Sequence, residues 1–493
     1  MKILARLEKN RNFWFLLIIS LFFFLLRFPS LFEPYWYGDE GIYQTIGLGI
    51  DHGRILYKDI FDNKPPLLYL LYAIFNSDQF LLRLVSLIFG VLSVLIFFKL
   101  VLKITENKKA SYIATFFFTL LFGLPLIEGN IANSENFMLL LNISAGFLAI
   151  KSLEMHSGRR YKMLVATGAL LSISFLFKIV GLFDFAAIFM FLFFTNFTKN
   201  FKDILTPKNI INELKNLFPL VVGFAILPLI VMFYFLAIGA FPYFLQATLL
   251  NNVNYVGYGN KFIIPQGLLI LKLVLLFGAS SFIFLKRKTL GNGAVFAYLW
   301  VLFSLFNAFF SQRPYTHYVL IAVPAVCLLI GLTALKNKYF KFNLLFLGIS
   351  LILLITSFTY YIKTIYYYQN FIAFVSNQKT TYQYQRFFDG NTPNDYTLAS
   401  YINMYAKKED NIFIWGNNAQ IYKLTNKLPP GRYTVAYHIT NYRDGLENTE
   451  KGLSITKPKF IIIMGNVPKF SFSLSQYIQR ININGINIYE RLY

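Results

Sequence analysis

The chain has 493 residues, of which 56% are hydrophobic, 19% aromatic and only 14% charged, and its mean hydropathy is +0.52. Soluble domains carry roughly a quarter charged residues, so this is the composition of a membrane protein. The formal charge of +23 does not mark a nucleic-acid binder, because the basic residues sit in short loops between apolar runs rather than on one soluble face. The single Cys327 excludes an intrachain disulfide and a zinc cluster built on cysteines.

A membrane-crossing helix needs about 20 mostly apolar residues. Such runs lie near 12–28, 79–102, 110–127, 136–151, 162–178, 180–196, 217–238, 264–285, 292–311, 316–335 and 342–362, eleven in all. The first follows a basic start but has no small-x-small cleavage site, so it reads as an uncleaved span rather than a signal peptide. The two runs around Lys178 are either one span bent at Gly181 or two short ones.

Between the first two runs lies YWYGDEGIYQTIGLGIDHGRILYKDIFDNKPPLLYLLY, residues 35–72, which crowds Asp39, Glu40, Asp51, Arg54, Lys58, Asp59, Asp62 and Lys64 together. The basic residues of alternate loops decide which side this stretch faces. With a cytoplasmic N-terminus, the inner segments hold Lys2, Arg6, Lys9 and Arg11, then Lys103, Lys108 and Lys109, then Lys151, Arg159, Arg160 and Lys162. Further inner sets are Lys199, Lys202, Lys208 and Lys215, then Lys286, Arg287 and Lys288, then Lys336, Lys338 and Lys341. The outer loops keep only Arg54, Lys58, Lys64, Lys178, Lys261 and Arg313. This bias predicts an N-inside, C-outside protein of the cytoplasmic membrane, with residues 35–72 outside.

After residue 362 the composition becomes that of a soluble domain. NIFIWG (411–416) and KFIIIMG (459–465) read as strands, AQIYKLTN (419–426) and SLSQYIQR (473–480) as helical turns, and the last residues as a closing strand. The expected organisation is a transmembrane domain over 1–362, with a first outer loop at 29–78, and a small extracytoplasmic α/β domain over 363–493.

The ionisable groups that do not set topology therefore gather on one side of the membrane. Asp39 and Glu40 are either a solvated pair at a helix start or a general base beside its companion, able to take a proton from an attacking hydroxyl. Lys64, before Pro65 and Pro66, is either an interfacial lysine whose charge reaches for water or a partner for a phosphate. Lys178, flanked by apolar residues, calls for an anion. Arg313, His317 and Tyr318 in QRPYTHY read as interfacial anchors or phosphate ligands, and Glu135 as a helix N-terminal charge or a second acidic group.

In this order, an acidic pair in the first outer loop, DNKPPLLY, FLFKIVGLF and RPYTHYVLIAVPA resemble the polytopic GT-C glycosyltransferases of the protein O-mannosyltransferase and aminoarabinose-transferase type, over residues 10 to 335. The resemblance implies a GT-C fold and inverting transfer of a sugar from a polyprenyl-phosphate donor to an acceptor hydroxyl of a protein, lipid or glycan. It implies Asp39 as catalytic base with Glu40 beside it, and Lys64, Lys178, Arg313, His317 and Tyr318 near the donor phosphate. Glu135 corresponds to a second outer acid. No metal is required by such a scheme, although Asp39 with Glu135 could take a divalent cation. The rival readings are a ligase or polymerase using a lipid-diphosphate oligosaccharide, and a transporter or flippase of lipid-linked sugars. Transporters more often carry polar groups near mid-bilayer and paired repeats, neither of which is seen here.

Overall fold

The computed structural model describes residues 11–196, 206–252, 267–311, 313–465 and 472–492. Of the topology residues above, Lys2, Arg6, Lys9, Lys199, Lys202 and Lys261 lie outside the described residues, as do the start of the run at 264–285 and most of the loop before it. The chain divides into two compact units.

The first unit comprises Met1–Phe28, Val85–Tyr234 and Asn252–Thr364. Its described residues form helices joined by short turns and loops, with no strand among them, and the helices coincide with the apolar runs. Among the described residues, eight helical stretches are long and apolar enough to cross a membrane: Arg11–Phe32, Gln79–Thr105, Ser157–Phe177, Pro207–Ala237, Leu269–Leu290, Asn292–Phe310, Thr316–Ala334 and Phe340–Ser357. Gly181–Asn196 is apolar but shorter. The expected spans at 110–127 and 136–151 fall on the helices Lys108–Gly123 and Ser134–Ser152.

Phenylalanines fill the interior of this unit. Phe97, Phe118 and Phe122 pack in sequence with tilted rings, and Phe191 meets Phe296 edge-on. Where helices 157–177 and 207–237 cross, both contribute glycine. A Cβ on Gly168 would come within 2.1 Å of the Leu220 carbonyl oxygen, and one on Gly223 within 2.1 Å of the Val165 carbonyl oxygen. Lipid gives apolar side chains no reason to associate, so close backbone approach is what holds such a crossing together.

The second unit comprises Pro29–Leu84, Phe235–Asn251 and Ile365–Tyr493. The loop after the first apolar helix therefore folds with the C-terminal segment. The loop holds helices Gly38–Asp51 and Pro66–Ile74. A mixed four-stranded sheet comes from the C-terminal segment: β1 (Ile412–Trp415), β2 (Phe460–Ile463), β3 (Tyr477–Ile483) and β4 (Ile486–Arg491), in the order β1-β2-β4-β3. β1 and β2 are parallel, and the other neighbours antiparallel. The sequences IFIW and FIII are apolar without alternation because both faces of these strands are covered. The expected helical turn at 473–480 is only a single 3-10 turn, Leu474–Gln476; from Tyr477 the chain is strand. Its cause is the dipeptide Asn484-Gly485, both residues at positive φ, which turns β3 back onto β4 as a hairpin.

Candidate functional site

Helix Gly38–Asp51 begins with Asp39 and Glu40 in its first turn, and the two carboxylates diverge. Glu40 is buried at 1% exposure. It receives Arg83 Nε at 3.1 Å and Nη2 at 2.5 Å. Arg83, itself inaccessible, also reaches Glu33 at 2.7 Å and the Ser30 carbonyl at 2.9 Å. Glu33 in turn accepts from Trp36 and Tyr367. A buried guanidinium between two carboxylates satisfies the rule that buried charge must be paired.

Asp39 keeps a side chain 36% exposed. Its Oδ2 accepts from the Tyr43 hydroxyl at 2.9 Å and lies 3.8 Å from the Lys64 ammonium. Lys64 lies 3.7 Å from Asp62 and 4.6 Å above the Tyr43 ring. The backbone of Lys64 is pinned on both sides: its carbonyl accepts from Tyr57 at 2.7 Å, and its N–H donates to Tyr69 at 3.1 Å. Pro65 then fixes an extended entry and Pro66 starts the helix Pro66–Ile74, which is why KPP puts the ammonium at a defined place. Asp62 also accepts from Tyr69 at 2.6 Å and faces His438 Nε2 at 3.6 Å. Burial first, and Asp39 and Asp62 next, push the Tyr43 phenol well above its ordinary range, so it donates its proton to Asp39 without ionising. Burial lowers His438 to about 4 against the opposing pull of Asp62, so this ring is neutral near pH 7.

The C-terminal segment holds this loop from the other side. Thr45 donates to the Ala419 carbonyl at 3.0 Å, and Arg54 to those of Pro429 and Gly431 at 2.7 and 3.2 Å. The Phe61 N–H donates to the Arg432 carbonyl at 3.0 Å. Gly41 lies so close to helix Gln420–Thr425 that a Cβ would meet the Gln420 nitrogen at 2.7 Å.

The first unit gathers the remaining candidates. Helices Ser157–Phe177 and Gly181–Asn196 are separate, joined at Lys178, whose backbone is extended. Ser134 donates to the Phe177 carbonyl at 3.1 Å, which brings Lys178 to Glu135 in the first turn of helix Ser134–Ser152. The two side chains form an ion pair in which Glu135 is buried and Lys178 partly so, and the Lys178 ammonium lies 4.3 Å over the Tyr318 ring. His317 Nδ1 is 3.0 Å from Glu128, and its ring stacks on Tyr315. Arg313 donates to the Tyr315 hydroxyl at 3.4 Å. Glu135, Lys178, His317 and Tyr318 thus form one cluster that Arg313 adjoins through Tyr315, and Asp39 and Lys64 form part of another in the second unit.

Arg83, Glu33, Glu128 and His438 are missing from the residues singled out by sequence, and Asp62 stood there only among the charges of the loop, with no role. Arg83 carried a usable signal, an ionisable residue inside the run FLLRLV, which in a membrane helix calls for a partner. His438 carried none, since nothing local ties it to Asp62. No group of three or more His, Cys, Asp or Glu side chains suited to a metal occurs among the described residues.

Residues 60–244 match the family described as dolichyl-phosphate-mannose-protein mannosyltransferase. No curated protein sequence matches the chain. Among solved structures, ArnT from Cupriavidus metallidurans bound to undecaprenyl phosphate is 12% identical, with 97% of this chain and 98% of that one covered at a TM-score of 0.54. Its apo form gives 0.51 at the same identity and coverage. The oligosaccharyltransferase AglB from Archaeoglobus fulgidus, in complex with an inhibitory peptide and a dolichol-phosphate, is 13% identical, with 92% and 69% covered at 0.50. The chain thus shares the fold of ArnT over nearly its whole length, resembles the mannosyltransferase family over residues 60–244, and among its described residues has eight helices long and apolar enough to cross a membrane.

Proposed function

We propose that the chain moves a sugar from a polyprenyl-phosphate carrier to an acceptor hydroxyl at the outer face of the cytoplasmic membrane, with inversion at the anomeric carbon. The observation that carries this reading is the contrast between two adjacent acids: Glu40 is locked to Arg83, while Asp39 keeps a partly exposed carboxylate next to a lysine. Asp39 Oδ takes the proton of the acceptor hydroxyl. The freed oxygen pair attacks the anomeric carbon from the face opposite the carrier, and the bond to the phosphate oxygen breaks. The carrier phosphate leaves with the bonding electrons, a charge that fixed cations stabilise.

Lys64, between Asp39 and Asp62, favours the ionised base and is the cation of its cluster that a phosphate would meet. Lys178 and Arg313 are the cations of the first unit's cluster, with His317 as a hydrogen-bonding ring and Tyr318 beneath Lys178. Glu135 holds Lys178 and would yield it to a phosphate. Glu40 keeps the first turn of its helix in place and takes no proton. Support for a lipid-phosphate donor comes from the ArnT and AglB structures, whose ligands are undecaprenyl phosphate and dolichol-phosphate. The bias of basic residues supports the outer location of the loop and of the C-terminal segment.

The test is transfer in proteoliposomes offered a panel of polyprenyl-phosphate sugars, with Asp39→Asn alongside wild type. Loss of transfer in the variant, with its fold retained, is the expected result. A variant as active as wild type removes Asp39 as the base, and activity only with a lipid-diphosphate oligosaccharide replaces the donor.

A further inference from the structure

Within the first unit, Lys286, Arg287 and Lys288 close the helix Leu269–Leu290, and Lys336, Lys338 and Lys341 surround the start of the helix Phe340–Ser357. Between the two sets the chain runs out along Asn292–Phe310 and back along Thr316–Ala334. Both sets therefore lie at one end of these helices, opposite the end that holds Arg313 and His317. No Asp or Glu occurs between Glu213 and Asp389, so along the chain these six cations have no acid to meet. Ile104, which a Cβ on Gly293 would touch, marks a neighbouring helix end where Glu154 is already paired with Lys103 at 2.6 Å and Glu106 precedes Lys108 and Lys109.

The two basic sets are tied together. The Tyr339 hydroxyl donates to the Thr289 carbonyl, and the Thr289 hydroxyl donates to the Lys286 carbonyl at 2.8 Å. Lys338 Nζ lies 5.0 Å from the centre of the Tyr339 ring, which holds its charge beside the helix end that carries Lys286. Arg287 instead folds back on its own helix, 4.1 Å over the Phe284 ring and donating to the Phe284 carbonyl at 2.8 Å. Lys286 and Lys338 are exposed. One turn further into the span, Phe282 and Phe342 bring the same two helices into contact with ring centres 6.4 Å apart. These rings are 48% and 37% exposed, and Leu285 and Leu345 beside them 59% and 62%. At about 100° per residue, Lys286 falls within about 40° of Phe282 on the same side of its helix. Asn343 fixes the second helix here, accepting from the Tyr298 hydroxyl and donating to the Leu332 carbonyl at 3.3 Å.

Loop lysines can orient a membrane protein from any position in a short loop. That role does not call for two loops joined above an exposed apolar seam. A cationic rim over such a seam matches a phospholipid, whose acyl chains lie on apolar side chains while its phosphate meets ammonium groups. We propose that the seam between helices Leu269–Leu290 and Phe340–Ser357 binds an anionic glycerophospholipid. Its phosphate sits between Lys286 and Lys338, and its acyl chains lie against Phe282, Phe342, Leu285 and Leu345. The lysines select for net negative charge, because a choline headgroup would bring a further cation among them. The inference stands on these two spans and their loops, and on no reading of the sugar, the acceptor or the base.

Native mass spectrometry of the full-length chain in detergent tests it, with phosphatidylglycerol or phosphatidylcholine of the same acyl chains added in steps. The expected result is phosphatidylglycerol bound at several-fold lower concentration than phosphatidylcholine. Lys286→Gln/Lys338→Gln should weaken phosphatidylglycerol binding about tenfold and abolish the preference, and Lys286→Arg/Lys338→Arg should retain it. Lys208→Gln/Lys215→Gln removes as much charge from exposed positions on another helix, Pro207–Ala237, and should bind like wild type. Equal binding of the two lipids by wild type overturns the proposal. Equal loss in the two glutamine variants also overturns it, since net charge alone would then attract the lipid. Displacement of phosphatidylglycerol by an equal concentration of undecaprenyl phosphate would assign the seam to a carrier lipid, and a dimer that Phe342→Arg dissociates would assign it to a second copy; either result overturns it. Thermal midpoints give a second readout: phosphatidylglycerol should raise that of wild type and of the Lys208/Lys215 variant, and leave that of Lys286→Gln/Lys338→Gln unmoved.

Discussion

Arg83 donates to both carboxylate oxygens of Glu40, at 3.1 and 2.5 Å, and so holds this acid in the interior while the preceding residue, Asp39, keeps its carboxylate 36% exposed. The pair DE therefore splits into a buried, ion-paired acid and a partly exposed one, the proposed base. Removing one partner of a buried ion pair strands the other charge and costs about 3–5 kcal/mol. Arg83→Met should lower the thermal midpoint in detergent markedly, whereas Asp39→Asn should leave it near wild type and reduce transfer about 10²–10⁴-fold. Equal loss of stability in both variants would contradict the division.

Lys64 serves two carboxylates at once, with Asp39 at 3.8 Å and Asp62 at 3.7 Å. Lys64→Met leaves these two acids facing each other without the cation. Residues sharing one network couple by about 0.5–3 kcal/mol, so the double variant Lys64→Met/Asp62→Asn should lose less than the two single losses added together. A kinetic double-mutant cycle on kcat/KM measures this, and strict additivity would show that Asp62 has no part in placing Lys64.

Two buried groups of the C-terminal segment give opposite responses to pH. His438 is held down to about 4 by burial, so between about 4 and 6.5 the unfolded chain binds a proton that the native one refuses. Its contribution is present above the unfolded value and is lost as pH falls towards 4. Asp395, pushed up to about 7 by burial despite its bonds from Asn418 and Gln420, does the reverse. The native carboxyl keeps a proton that the unfolded one releases, so its contribution is present at low pH and lost as pH rises towards 7. Across pH 4 to 6.5 the two slopes oppose each other, each worth up to about 1.4 kcal/mol per pH unit. Thermal unfolding should show a stability that rises on acidification in His438→Phe and falls on acidification in Asp395→Asn, both changes being larger than in wild type.

The parts of the molecule legible in the sequence are those written in short range. Apolar runs gave the helices because a bilayer demands about 20 such residues in a row. KPP gave the fixed entry to helix Pro66–Ile74, and Lys178 marked a helix boundary because an isolated charge there needs a partner. What was not legible depends on distant chain segments. Asp62 faces His438, and the Tyr35 N–H donates to Tyr396; no periodicity encodes either contact. The β3–β4 hairpin was different, since Asn484-Gly485 between alternating residues is a turn signal that outweighs the helical look of SLSQYIQR.

Gly41 offers a steric test of the grip between helix Gly38–Asp51 and the C-terminal segment. A Cβ there would meet the Gln420 nitrogen at 2.7 Å, whereas one at Gly38 meets nothing within 4 Å. Overpacking costs about 1–3 kcal/mol, and at this place it also pushes the Asp39 helix off its support. Gly41→Val should cut transfer strongly while Gly38→Ala keeps it close to wild type. Comparable activity in the two would mean that this contact does not hold the reactive acid in place.

Lys178 pairs with the buried Glu135, with Tyr318 under the ammonium, and a donor phosphate would compete with Glu135 for the same cation. A purely structural pair and a donor-binding pair predict different kinetics. Lys178→Met strands Glu135 and should destabilise the fold; adding Glu135→Gln removes the stranded charge and should restore stability. If Lys178 only supports the fold, the double variant also recovers transfer. If it binds the carrier phosphate, a charge-assisted hydrogen bond worth about 1.5–3 kcal/mol is gone, and the double variant folds but keeps a donor KM raised about tenfold or more. Glu135→Gln alone then lowers the donor KM, because Lys178 no longer has to leave a carboxylate to meet the phosphate. Donor KM values for the three variants in proteoliposomes, with thermal midpoints from the same preparations, separate the two roles.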